Sequence, residues 1–278
     1  MRIFKTSILA GVFIALSLSC TKTDSVQVGG STTVLPIVSV AAEEFQALHP
    51  EITILVNSGG SGVGINQVGL GQLDIGMTSR AITEKEKERY PDVNFLTHTI
   101  GKDAVLAVVS SEIYHAGITA LSTKEIQKIY AGKISNWKEL GGPDREILVI
   151  DKERSRGTRH VFMKIIAGDD EALAPGADLV MGANNELQLA ISQSDAAIGM
   201  LSFAWQNEQV KGLGIEQANS AVIVPSLDNI RNGSYPIVRD IELVTNGEPT
   251  GNSKTFIEYI LSEEGQEIIE KAGYVRIK

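Results

Sequence analysis

Short β-branched runs alternate with segments of helical spacing from one end of this chain to the other, and that alternation restricts its architecture more than any other feature. Val26–Val28 ends in a Gly-Gly pair and leads into Val34–Leu48, whose apolar positions recur at helical period. Ile52–Val56 and Asp74–Met77 read as strands, with Ile65–Leu70 a short helix between them. Thr83–Tyr90 opens on Thr with Glu86 three residues on, the capping-box pattern, and stops at Pro91. The same grammar continues through the strand Ala104–Val109, the helix Thr123–Tyr130, the strand Ile147–Ile150 and the helix Gly157–Ala167. Glu186–Ser192 reads as a helix, Ala197–Leu201 and Pro236–Thr245 as strands, and Ser253–Lys271 as one long amphipathic helix. Strands that alternate with helices call for parallel sheets covered by helices on both faces. There is no internal repeat and no long linker. Two domains in such a chain must be joined by more than one crossing, and the extended segments Thr97–Ala104 and Pro236–Leu243 are the candidates.

The first residues stand apart from this pattern. Arg2 and Lys5 form a positive start, Ile8 to Leu18 an apolar run, and Ser17, Ser19 and Cys20 a small-residue end. That is the layout of a secretory signal over residues 1–19, and the run is too short to span a bilayer. Cys20 is the only cysteine, so no internal disulfide can form. Its place at the cleavage point resembles the lipobox of bacterial lipoproteins, with Ser17 where that pattern prefers Leu. The expected location is therefore the periplasm or cell surface, with Cys20 lipidated. The whole chain carries a net charge of −9, and loss of Arg2 and Lys5 makes it −11. A balance this acidic argues against nucleic acid or an anionic membrane surface as partner.

Three turns share one design, an apolar strand followed by Gly, Ser and Thr and then a helix. They are Gly29-Gly30-Ser31-Thr32-Thr33, Ser58-Gly59-Gly60-Ser61-Gly62-Val63-Gly64 and Arg154-Ser155-Arg156-Gly157-Thr158. A helix N-terminus offers unpaired N–H groups and a partial positive charge; glycine lets an anion approach, and hydroxyls donate further bonds. Any one such turn is more often an ordinary cap. Three in one α/β chain point to a shared tetrahedral anion.

Enzyme motifs fail on inspection. Around Ser61 the nucleophile elbow finds Gly59 but then Val63 instead of glycine. Gly64 is followed by Ile65 and Asn66, not by the Lys-Ser/Thr of a nucleotide-binding loop. His49, His98, His115 and His160 are scattered without metal-ligand spacing, and His160 is expected on a helix surface. The chain is read as a non-enzyme without metal or cofactor.

Gly30-Ser-Thr-Thr-Val-Leu-Pro36, Ser58-Gly-Gly-Ser-Gly-Val-Gly64, Asp74-Ile-Gly-Met-Thr-Ser-Arg80 and Tyr130-Ala-Gly-Lys-Ile-Ser-Asn-Trp-Lys-Glu-Leu-Gly-Gly142 carry a family resemblance. Gly157-Thr-Arg159, Ala197-Ile-Gly199, Asn232-Gly-Ser-Tyr-Pro236 and Ser262-Glu-Glu-Gly-Gln266 continue it in order. The chain resembles the phosphate-binding proteins of Pst-type ABC importers over nearly its whole mature length. The resemblance implies a two-lobed α/β periplasmic-binding-protein fold of class II, with mixed sheets flanked by helices and two hinge crossings. One lobe would comprise residues 26–100 and 240–278, the other 101–239. It implies that inorganic phosphate is held between the lobes and delivered to a membrane permease, by a protein expected to be monomeric.

Carried over by position, Ser31, Thr32, Thr33 and Ser61 would contact the anion from one lobe, Gly157 and Thr158 from the other, and Ser79 and Arg80 from the next block. The chain departs from the family pattern at Lys152-Glu153, where many members have Arg-Asp, and at Arg156, where they have Ser. Arg156 is the basic residue expected to point inward, since an Arg fork suits an oxyanion. Well-known members also use an aspartate to accept the proton of phosphate, and Asp74 is the candidate here. Sulfate or another oxyanion as ligand, and a sensory role before a membrane receptor, remain open alternatives. The acidic net charge does not oppose anion binding, because surface charges are screened beyond roughly 8–10 Å while donors in a cleft act at contact.

Overall fold

The computed structural model describes residues 24–277; the signal segment 1–19 and Cys20 lie outside the described residues. The chain opens with β1 (Asp24–Gly30), α1 (Leu35–Leu48), β2 (Ile52–Ser58), α2 (Ser61–Gly69), β3 (Ile75–Thr78) and α3 (Glu84–Arg89). A 16-residue strand, β4 (Phe95–Ser110), then runs into the second half. There follow α4 (Ser111–His115), β5 (Ala120–Ser122), α5 (Thr123–Tyr130), β6 (Leu148–Lys152), α6 (Gly157–Ala167), β7 (Leu179–Met181) and α7 (Asn184–Ser192). Next come β8 (Ala197–Ser202), β9 (Val210–Gly212), β10 (Gly214–Glu216), β11 (Val222–Ile223) and α8 (Leu227–Arg231). The chain returns through β12 (Val238–Asn246) and finishes with α9 (Gly251–Leu261), α10 (Glu263–Lys271) and β13 (Val275–Arg276).

Ten strands form one continuous sheet with the path β2-β1-β3-β12-β4-β8-β6-β7, and β9 and β13 pair with β4. β1 is parallel to β2 and β3, and β6 is parallel to β7 and β8. Between these parallel ends β12 runs antiparallel to both β3 and β4, and β4 antiparallel to β8, so the sheet is mixed. Two hydrophobic cores lie along it. One draws on residues 26–100 and 241–274, the other on residues 104–237 with Val275. β4 and β12 pass from one core to the other side by side, the only arrangement in which two crossings can share backbone hydrogen bonds. The result is two lobes joined by two adjacent strands, as expected from the sequence.

Several elements differ from the sequence expectation in extent. The long C-terminal helix is two helices: Ser262 is extended (φ −71°, ψ 172°), caps the Gly265 amide and starts α10 afresh. α2 begins at Ser61 and α7 at Asn184, each earlier than the apolar spacing suggests, because Ser61-Gly-Val-Gly64 and Asn184-Asn-Glu186 carry no run of large apolar residues at helical period. The capping box of α3 forms as written, with Thr83 Oγ1 accepting from the Glu86 amide and the Glu86 carboxylate from the Thr83 amide. Among the described residues no helix is long and apolar enough to cross a membrane.

Phe45 on α1 is fully buried and meets Phe256 edge-on at 5.3 Å between ring centres, with Tyr259 at 5.5 Å. This contact ties α1 to α9, which arrive from opposite ends of the chain. Truncating a buried phenylalanine loses transfer energy and leaves a cavity, at a cost of ~3–5 kcal/mol. Phe45→Ala is expected to lower the unfolding free energy by that amount, read as a lower urea midpoint with an unchanged m-value; a loss below ~1 kcal/mol would mean that the site refills.

Candidate functional site

The three Gly/Ser/Thr turns converge between the lobes. At the end of β1, Gly30 takes a φ of 135°, and a Cβ there would overlap the Met77 carbonyl of β3. That close approach sends Ser31, Thr32 and Thr33 into the cleft mouth, all three buried. Ser31 Oγ accepts from the Thr33 amide (3.2 Å) and donates to Ser79 Oγ (3.0 Å). Ser61, first residue of α2, accepts from the Ser79 amide at 3.1 Å. Neither Val34 before α1 nor Gly60 before α2 caps its helix with a side chain; the Leu35 amide donates instead to the Ser31 carbonyl.

The other lobe supplies the N-terminus of α6. A Cβ on Gly157 would overlap Ser61 Oγ and sit 2.7 Å from Ser79 Oγ, so only glycine lets the helix end come this near. Thr158 Oγ1 lies 3.4 Å from Thr33 Oγ1 across the cleft. The Gly62 amide donates to the Ser155 carbonyl (3.1 Å), and Asn184 Nδ2 donates to Thr33 Oγ1 (3.2 Å), both between lobes. This conformation is closed.

At the centre is a residue the sequence pattern did not point to. Arg239 on β12 is buried, and it donates to Ser79 O and Oγ, to Thr158 Oγ1 and to Thr33 Oγ1 at 3.1–3.3 Å. Its Nε and Nη2 bind one oxygen of Asp103 at 3.0 and 2.7 Å. Asp103 is its register partner on β4, and the other Asp103 oxygen accepts from Ser202. Burial raises the Asp103 carboxyl pKa, against the opposing pull of Arg239 and Ser202. Each candidate crossing carries charges of both signs, and local sequence does not tell that Asp103 and Arg239 are the two that fold inward.

Of the residues picked out from sequence, the structure brings Ser31, Thr32, Thr33, Ser61, Ser79, Gly157 and Thr158 together. It places three charged ones elsewhere. Asp74 stands at the opposite end of β3 from Ser79, about 15 Å of extended chain away, where its carboxylate accepts from the Gln27 amide. It caps a strand end and does not face the cleft. Arg80 turns out of the cleft to a bidentate pair with Glu86 (2.8 and 2.7 Å), the acid that also caps α3. Arg156 lies on the rim, bound to Glu153 at 2.6–2.8 Å with its stem over Gly60. His160 is buried instead of exposed, between Asp170 and Glu171 at 3.6 and 3.7 Å, and burial followed by the nearby Arg80 lowers its pKa. Arg159 is likewise buried, on Asp151.

Lys152 at the end of β6 is 1% exposed and donates Nζ to the Gly182 carbonyl at 3.2 Å. Burial lowers its pKa to about 7, helped by Arg156 and Arg239 and opposed by Glu186 and Glu153. An unfolded lysine keeps its proton up to 10.5, so between pH 7 and 10.5 the unfolded chain binds more protons and stability rises with pH. The anion-free protein is therefore expected to melt at a temperature that climbs relative to Lys152→Met across that window. A difference between the two that stays flat with pH, read by calorimetry, would show an ordinary lysine.

Comparison with known proteins places this geometry in context. The PBP superfamily domain matches residues 19–264. The phosphate-binding protein PstS of Bacillus subtilis (strain 168) is 33% identical over 255 residues, covering 91% of this chain and 81% of its own. The phosphate-binding protein PstS of Borreliella burgdorferi is 30% identical over 274 residues, 95% of each chain. Among solved structures, an ABC-transporter substrate-binding protein with bound phosphate from Clostridium perfringens superposes with a TM-score of 0.82 at 30% identity, over 92% of this chain and all of the other. An ABC-type phosphate transport receptor from Vibrio cholerae gives 0.71 at 31% identity, over 90% and 99%. With this fold, this cleft and these matches, the chain belongs to the PBP superfamily and, within it, to the PstS family of phosphate-binding proteins.

Proposed function

We propose that this protein captures inorganic phosphate outside the cytoplasm, closes its two lobes around it and delivers it to the membrane permease of an ABC importer. The observation that carries this reading is the convergence of the Thr33, Ser79 and Thr158 hydroxyls on one guanidinium, with Ser61 Oγ beside Ser79 and no side chain capping α2 or α6. Such a site is rich in donors and almost without charge, since Asp103 balances Arg239. Donors oriented in a water-poor cleft bind an oxyanion strongly without a large field. The lobes are taken as residues 26–100 with 240–278, and 101–239. On this reading the anion contacts Ser31, Thr32, Thr33, Ser61, Ser79, Gly157, Thr158 and Arg239. It favours the closed form because only that form offers both sets of donors. The cluster holds no nucleophile paired with a base, in keeping with a carrier instead of an enzyme.

Titration calorimetry on protein stripped of anion is expected to show one phosphate site with affinity near micromolar or better, about −8 kcal/mol, and weaker sulfate binding. Phosphate-ester turnover, or equal affinity for the two anions, would overturn the reading. Thr158→Val removes a hydroxyl that faces the anion and is expected to cost ~1.5–3 kcal/mol, roughly ten- to a hundredfold in affinity.

Anchoring of Cys20 by acyl chains is the localisation that follows from its place after the apolar run. More than one chain on a single residue gives stable attachment at ~0.8 kcal/mol per buried methylene. Cys20→Ala is expected to move the protein from the membrane fraction to the soluble one; a wild-type protein already soluble would rule out the anchor.

A further inference from the structure

The hydroxyls of the cleft are committed in one direction. Thr33 Oγ1 accepts from both Arg239 Nη2 and Asn184 Nδ2, and Thr158 Oγ1 accepts from Arg239 Nη1. Ser79 Oγ accepts from Ser31 and Arg239, and Ser61 Oγ accepts from the Ser79 amide. Thr33 and Ser79 have both lone pairs met by protein donors and Thr158 and Ser61 at least one, which leaves hydroxyl hydrogens to give to an anion. The carboxylates nearby are equally committed. Asp103 holds Arg239 and Ser202, Asp151 holds Arg159, and Glu153 holds Arg156.

One acceptor in the cluster is different. Asn184, first residue of α7, is 1% exposed, and its Oδ1 is fully buried with no hydrogen-bond partner. Its Nδ2, on the same carbon, reaches across to Thr33, so the oxygen stands beside the hydroxyl cluster on the side of the second lobe. A buried carbonyl left without a donor is costly, and no protein donor reaches this one. Hydrogen phosphate does. At neutral pH it carries one P–OH, whereas sulfate brings only acceptors.

We infer that Asn184 is the residue that reads the proton of the ligand: its Oδ1 accepts the hydrogen bond of the P–OH group, and it thereby selects hydrogen phosphate over fully deprotonated oxyanions. This rests on the phosphate reading above and specifies its selectivity. A neutral amide suits the task because it supplies the acceptor without setting a second negative charge beside a dianion. Asp103 then has a separate part, to hold Arg239 in position.

Monofluorophosphate separates the proton from the charge, since it is a tetrahedral dianion with fluorine where hydrogen phosphate has its hydroxyl. Calorimetry at neutral pH with phosphate, monofluorophosphate and sulfate is expected to show wild-type protein preferring phosphate over both. In Asn184→Leu that preference should shrink at least tenfold, with phosphate affinity falling and fluorophosphate affinity falling less. Asn184→Asp, which keeps an acceptor, should keep the preference even if all anions bind more weakly. Should the leucine variant fail to melt cooperatively, Asn184→Ala removes the same acceptor and is judged by the same ratio. Asp103→Asn is expected to weaken all three anions together. A wild type that does not distinguish phosphate from fluorophosphate, or a ratio unchanged in Asn184→Leu or Asn184→Ala, overturns the inference while phosphate capture stands. Absence of phosphate binding in the wild type would instead overturn the capture reading itself.

Discussion

Arg239 and Asp103 face each other across the two strands that join the lobes, paired through two hydrogen bonds and buried to within a few per cent of completely. Taking both charges out of water is expensive, and their attraction offsets that cost only because each remaining valence is used. Arg239 spends its other N–H groups on Ser79, Thr158 and Thr33, and Asp103 its other oxygen on Ser202. Removing either partner would leave an unpaired buried charge, a loss of about 3–5 kcal/mol. The pair therefore fixes where the turns of both lobes can stand. β12 carries the guanidinium between β3 and β4, so the same strand that joins the two halves of the sheet also supplies the centre of the site.

Electrostatically the cleft is a site of dipoles more than of charges. Asp103 balances Arg239, Glu86 holds Arg80 outside, and Glu153 holds Arg156 at the rim. What faces the interior is hydroxyls and the N-termini of α1, α2 and α6, none of them capped by its own side chain. An overall charge of −9 is compatible with such a site, because screened surface charges act weakly against donors at contact distance. The arrangement also explains the glycines. Gly30 and Gly157 stand where backbone must approach within the space a methyl group would fill, against Met77 in one case and Ser61 and Ser79 in the other.

Much of the fold was legible because it is written locally. The alternation of runs located the long strands of the main sheet and most helices, Thr123–Tyr130 and Gly157–Ala167 over the expected residues, but not the short β5, β7, β9, β10, β11 and β13 or the one-turn α4 and α8. The break at Ser262 was hidden by an apolar spacing that continues in step through α9 and α10. The turns were equally legible, since glycine followed by hydroxyls before a helix is a short-range pattern with a physical cause. The charged residues were not. Asp74, Arg80 and Arg156 each lie beside a recognisable turn, yet each bonds to a neighbour that draws it away from the cleft.

The sequence by itself determined the α/β alternation, the three anion-suited turns and the segments able to cross between lobes, because each depends on residues within a few positions of one another. Only the tertiary structure decided which charge stands at the centre and which acceptor is left over. Arg239 and Asp103 are 136 residues apart, and Asn184 and Thr33 are 151 apart. Nothing in the local chemistry of an arginine or an asparagine says whether its partner will be solvent, a neighbouring acid or the far lobe. That is settled by strand register and by which helix end the folded sheet turns inward.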